Sequence, residues 1–270
     1  MTALYYNDSI NIFTDTSDKK ITTSKFGEIK LTCPGFVSTY KSRILFQGAD
    51  IYIDEYTIFG ESKAIEMATN WCINFVNSTN YRGYFNIFSD SLSSVAAINN
   101  FFIEWVYYLN SGEKNIIKYS INQSESVKRI YYATAYTILR TGLPIRIFYT
   151  PGHVPIYDSS FNSFDKFKKK FITCNKKYHL DISDEVTDRF VYDSATFNNV
   201  VDIITRNYLF QFRNYILEDI EACGSNLEFG NNKVLPIRWP FIQENGYIRT
   251  NSLDPNQLAQ QLMLPPIQIS

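Results

Sequence analysis

No two cysteines in this sequence are close enough to form a Cys-x-x-Cys pair: Cys33, Cys72, Cys174 and Cys223 are scattered. Isolated cysteines read as reduced, mostly buried thiols of a cytosolic protein. There is no excess of charge of one sign. The formal net charge is -1, so any footprint for nucleic acid has to be local. No apolar run exceeds strand length, which argues against a membrane span. The opening residues, MTALYYNDSINIF, lack a basic segment followed by an apolar stretch, so no secretory signal is expected there. The expected location is the cytoplasm, that of the host cell if the chain is phage-encoded. What is present is 45% hydrophobic and 16% aromatic residues over 270 positions. That is enough for one large domain, or for a medium domain with an extension, and excludes disorder over most of the chain. Heavy use of Asn, Ile, Tyr, Phe and Lys fits an AT-rich genome, such as those of some phages.

The first strand is expected over Ser9 to Asp15, SINIFTD, where β-branched and aromatic residues dominate. Two further extended stretches follow, Lys25 to Tyr40 and Ser42 to Phe59, with turns expected at Gly35 and around Thr39 to Ser42. From Gly60 the period changes. Ala64, Met67, Ala68, Trp71, Cys72 and Phe75 recur at helical spacing, giving a helix over Glu61 to Val76. Tyr84 to Asp90 reads as a buried strand, Ser91 to Leu109 as an apolar helix, Glu125 to Thr141 as a helix closed by Gly142, and Pro144 to Thr150 as the next strand. Three strands, a helix, a strand, helices and a strand make a mixed α/β sheet with helices on its faces. Helical periodicity returns over Asp181 to Cys223. The proline-bearing remainder shows one short helix, Asn256 to Met263.

Three acids fall at informative places. Asp15 ends the first expected strand, Glu61 starts the first long helix and Asp90 ends the fourth strand. In an open α/β sheet, strand ends and helix starts on one edge converge. Converging carboxylates hold Mg²⁺ or Mn²⁺, which take hard oxygen ligands. As solitary features, an Asp at a strand end is a turn former and a Glu in a first helical turn suits the helix dipole. Asp50, Asp54 and Glu55 read as charges protecting an edge strand.

Four blocks in order, IFTDTSD (12–18), GESKAIEMA (60–68), IFSDS (87–91) and YTPGH (149–153), resemble the signature blocks of ribonuclease H. The resemblance runs over Ser9 to Phe171. It implies a five-stranded mixed sheet in the order 3-2-1-4-5, flanked by helices. The nuclease core would span 1–174, followed by a mostly helical extension over 175–270. It also implies two metal ions, Mg²⁺ or Mn²⁺, with Asp15 and Asp90 as ligands and Asp15 bridging. Glu61 would bind one ion and help orient the region of the scissile ribose 2′-hydroxyl. His153 would assist proton movement or product release, and Asp165 would complete the second metal site, with Asp158 as its alternative. The activity implied is hydrolysis of the RNA strand of an RNA–DNA hybrid.

Beside Asp165 lies a run of lysines, of which Lys166, Lys169 and Lys170 are candidates for holding phosphate. A solvated helix face accounts for them equally well. Because fold does not fix function, two other readings stand beside the hybrid nuclease. One is a DNA-directed nuclease of the same superfamily. The other is a structural or interaction protein of a phage particle or replication assembly, docking a protein partner through the C-terminal region.

Overall fold

The computed structural model describes residues 8–24, 27–53, 56–111, 123–152, 161–179, 182, 188–223 and 237–238. The expected helix at Asn256 to Met263 lies outside these.

Two 14-residue strands, β1 (Ile10–Thr23) and β2 (Gly27–Tyr40), form a long antiparallel hairpin from Ile10↔Tyr40 to Thr23↔Gly27. A tight turn then leads into β3 (Arg43–Ala49). Its two central residues, Lys41 and Ser42, both have positive φ (49° and 61°). Such two-residue turns match the twist of the flanking strands. The short β4 (Tyr52–Ile53) continues along the same edge of β2, and β7 (Ile237–Arg238) pairs with β4. On the other side of β1, β5 (Phe85–Ser89) and β6 (Ile145–Tyr149) add in parallel. The main order is therefore β3-β2-β1-β5-β6, with antiparallel pairing on one side of β1 and parallel pairing on the other. This is the mixed sheet order that the resemblance to ribonuclease H implied.

Helices cover both faces. On one, α1 (Thr57–Thr79), α2 (Leu92–Ser111) and α3 (Glu125–Thr141) bury Ile65, Ala68, Phe75, Ile98, Ile130 and Tyr131 against Ile10, Ile12, Ile87 and Ile147. On the other, α4 (Phe161–Lys176) and the 36-residue α5 (Asp188–Cys223) pack on the alternate residues Phe13, Phe88 and Phe148. The period-2 alternation along β1, β5 and β6 feeds these two cores, and a third cluster, with Leu31, Cys33, Ile53 and Leu209, lies between β2, β4 and α5. Among the described residues no helix is long and apolar enough to cross a membrane.

Several boundaries differ from expectation, each for a local reason. Strand β1 does not stop at Asp15. It continues through the polar residues Asp18, Lys19 and Lys20, which lie on its exposed outer stretch and pair with β2. Gly35 is not a turn but the middle of β2, opposite Asp15. A Cβ there would meet Thr205 Cγ2 of α5 at 2.4 Å and the Gly48 carbonyl at 3.1 Å, so glycine lets a helix cross close to the strand. Helix α1 begins at Thr57, which puts Glu61 in its second turn rather than its first. Asp50 is buried, its carboxylate accepting a 3.1 Å bond from the Ile51 amide, and is not an exposed edge charge. Asp54 and Glu55 lie outside the described residues.

The outer edge of β6 is closed by α4. Asn175 accepts from the Tyr149 amide and donates to the Tyr149 carbonyl, both at 2.7 Å, and also donates to the Phe171 carbonyl at 2.9 Å. One side-chain amide thus does what a further strand would do for that rung. His179 contacts the Ile147 carbonyl through Nε2 at 2.8 Å and packs on the Phe148 ring.

Candidate metal centre

The parallel ladder between β1 and β5 ends at the rung Thr14↔Ser89. Beyond it β1 stays with β2 and β5 runs out, so a crevice opens between them. Asp15 and Asp90 are the next residue of each chain and flank that crevice. Thr14 Oγ1 donates to the Phe88 carbonyl at 3.0 Å, and the Thr150 amide donates to the Ser89 carbonyl at 2.9 Å. These bonds tie the three strand ends together.

Glu61 reaches the same place from α1, whose first turn rests directly on the hairpin. A Cβ on Gly60 would lie 2.3 Å from Thr16 Oγ1 and 2.5 Å from Thr32 Cγ2, so this approach depends on glycine. Carboxylate oxygens of Asp15, Glu61 and Asp90 all lie within 4.8 Å of one another. Asp15 and Glu61 are buried and Asp90 is half-buried. Gly152 closes the crevice on the β6 side: a Cβ there would fall 1.9 Å from Asp90 Oδ2.

The electrostatics are those of a site short of positive charge. Burial first, and the Asp90 charge second, push the Asp15 carboxyl up to about 8; Asp202 adds to this, while the Thr16 amide (2.7 Å from Asp15 Oδ1) and Arg206 oppose it. Glu61 is raised well above the ordinary carboxylate range by burial, then by Asp15, Asp90 and Asp18. At an effective dielectric of about 20, two ionised groups at this spacing repel by roughly 3–4 kcal/mol. Glu61 Oε2 is buried with no hydrogen-bond partner. A divalent cation would answer both problems, supplying positive charge and a partner for the orphaned oxygen. The three-carboxylate donor set therefore fits Mg²⁺ or Mn²⁺.

The other candidates fall elsewhere. Asp165 is exposed on α4, where it lines an open depression with Lys168, Lys169, Ile172, Thr173 and Lys176. It is not among the acids that converge. Lys166, Lys169 and Lys170 are exposed on the same helix, with Lys170 Nζ 5.4 Å from the centre of the Tyr149 ring. His153 and Asp158 lie outside the described residues.

Helix α5 contributes two residues that the sequence reading missed. Asn198 Nδ2 lies 3.5 Å from Asp15 Oδ2 and 3.5 Å from Asp90 Oδ2. One turn further on, Asp202 accepts from Ser17 Oγ at 3.3 Å and pairs with Arg206 at 2.5 Å. A signal for Asn198 exists in the sequence: it and Thr205 interrupt the apolar stripe Val191, Ala195, Val201, Tyr208. Polar groups on a buried helical stripe need partners.

No family model matches this sequence and no curated protein does. Solved structures similar to it include ribonuclease H domains and a viral protease–reverse transcriptase. The native protease–reverse transcriptase of prototype foamy virus is 17% identical, with a TM-score of 0.40 over 63% of this chain and 20% of that one. The match spans about a fifth of that viral chain. The solution structure of the PFV RNase H domain is 16% identical, with a TM-score of 0.38 over 64% and 96% of the two chains. RNase H1 from the archaeon Halobacterium salinarum is 15% identical, with a TM-score of 0.31 over 53% and 86%. At such identities and scores the chemistry has to stand on the carboxylates themselves.

Proposed function

We propose that this chain is a divalent-metal-dependent endonuclease that hydrolyses the RNA strand of RNA–DNA hybrids. The observation that carries this reading is the convergence of Asp15, Glu61 and Asp90 within 4.8 Å, with Glu61 Oε2 unpartnered. A scaffold has no physical need for three mutually repelling carboxylates in one crevice.

Asp15 and Asp90 hold the ions from the two strand ends, and Glu61 adds its free oxygen from α1. Two Mg²⁺ or Mn²⁺ ions bound there would supply an activated water and stabilise the leaving oxygen of a phosphodiester. The packing of Gly60 on Thr16 and Thr32, and of Gly152 on Asp90, fixes the carboxylates before substrate arrives. His153, the residue that follows Gly152 in the sequence, would assist proton movement or product release. Lys166, Lys169 and Lys170 on α4 contact phosphates along the bound strand.

Cleavage of end-labelled hybrid, duplex DNA and duplex RNA in Mg²⁺, beside Asp90→Asn, tests this. The RNA strand of the hybrid should be cut, and Asp90→Asn should lose at least about 10³-fold. Cleavage of duplex DNA instead would make the chain a DNA-directed nuclease. Equal rates from both proteins, or none from either, would contradict the proposal.

The exposed apolar side chains Ile203, Phe210 and Tyr215 on α5 favour a second reading, an interaction protein that docks a protein partner through its C-terminal part. A pure scaffold would bind no divalent cation at the three acids.

A further inference from the structure

Asn198 faces the acid cluster in an unfinished state. Its side chain is buried at 1% exposure. The Nδ2 end spans Asp15 and Asp90 with two long contacts of 3.5 Å, and Oδ1 is buried with no hydrogen-bond partner. A buried amide ordinarily satisfies both ends, so this one lacks a partner that its site is built to receive.

We propose that Asn198 is a neutral oxygen ligand of the cation site, an inference that rests on the metal-centre reading above. Without an ion, its amide hydrogens bridge Asp15 and Asp90 and offset part of their repulsion. With an ion, the amide turns over about its terminal torsion and presents Oδ1. That torsion is broad and roughly two-fold, so either end of the amide can occupy the inner position. Carboxylates together with an amide carbonyl are a normal ligand set for hard divalent cations.

The placement of Asn198 is held from both sides along α5. One turn before it, Ser194 Oγ is 3.0 Å from Thr150 Oγ1, at the end of β6. Two turns after it, Thr205 Oγ1 is 2.8 Å from Ser17 Oγ of β1. Gly35 lets the helix come down on β2 at Thr205. Asp202, the nearby acid of the same helix, is already engaged by Ser17 and Arg206. The site is therefore three carboxylates and one amide.

Calorimetric Mn²⁺ titration of the full chain, wild type beside Asn198→Ala and Asn198→Asp, tests the assignment, with folding checked by circular dichroism. Asn198→Ala should bind Mn²⁺ roughly 10–100-fold more weakly. Asn198→Asp adds a charged oxygen in the same place and should bind at least about tenfold more tightly. It also remains informative if the alanine variant does not fold. Three equal affinities would overturn the role of Asn198 and leave the metal centre standing. Variants that lose thermal stability in chelator but keep the wild-type affinity would show a purely structural residue and overturn it too. A wild type that binds no Mn²⁺ would overturn both readings.

Discussion

Asp15 and Asp90 each stand one residue beyond the last rung of the β1–β5 ladder, Thr14 with Ser89, so two parallel strands deliver two carboxylates to the same crevice. The rung, rather than either acid's own neighbours, sets their spacing. Replacing Asp90 by Asn keeps the shape and removes one charge. We expect Asp90→Asn to weaken Mn²⁺ binding by at least about tenfold and to raise the thermal stability of the cation-free protein. A variant destabilised in chelator would show that Asp90 stabilises the fold by its charge.

Stability without metal should fall as pH rises. In the unfolded chain Asp15 ionises near 3.8, whereas in the folded, cation-free chain it keeps its proton up to about 8. Below both values the carboxyl is protonated in either state and imposes no penalty. Between them the unfolded chain ionises and the folded chain does not, so stability drops by roughly 1.4 kcal/mol per pH unit for a group of this kind. Above about 8 the loss levels off, and Glu61 acts in the same direction. Thermal unfolding in chelator from pH 4 to 9 should show this decline, and millimolar Mg²⁺ should flatten it. A flat curve in chelator would contradict the electrostatics of the cluster.

Two glycines report on packing at the site. Gly152→Ala drives a methyl group into the Asp90 carboxylate, and Gly35→Ala drives one into Thr205 and the Gly48 backbone. Each should cost about 1–3 kcal/mol in chemical denaturation. Gly152→Ala should also weaken Mn²⁺ binding, because Asp90 has to move. Unchanged stability in both would mean that neither contact is as close as described.

Lysines on α4 are testable through salt. Neutralising Lys166, Lys169 and Lys170 together should lower the slope of log affinity against log salt for hybrid by about 2–3. It should leave Mn²⁺ affinity unchanged. An unaltered slope would assign these lysines to a solvated face.

Much of this architecture could be read from the chain. Helix α3 was expected over Glu125 to Thr141 and has those bounds. Both its ends are punctuated: the Ser124 side chain caps the start, accepting from the Val127 amide, and Gly142 closes the end at φ 63°. Helix α1 carries no such mark, since Tyr56 makes no side-chain cap bond, and its start was placed four residues late. The three acids were legible because each adjoins a strongly patterned apolar segment. What a single chain could not reveal is an approach between distant segments. Gly35 looks like a turn until α5 is laid across it. Asn198 reads only as a polar break in an apolar stripe until that stripe is seen to face Asp15 across 183 positions.

Anomalous diffraction from crystals grown with Mn²⁺ tests the central claim most directly. The account predicts a manganese peak within ligand distance of the Asp15, Glu61 and Asp90 carboxylates, lost in Asp15→Asn. Well-ordered carboxylates with no peak between them at millimolar Mn²⁺ would contradict it.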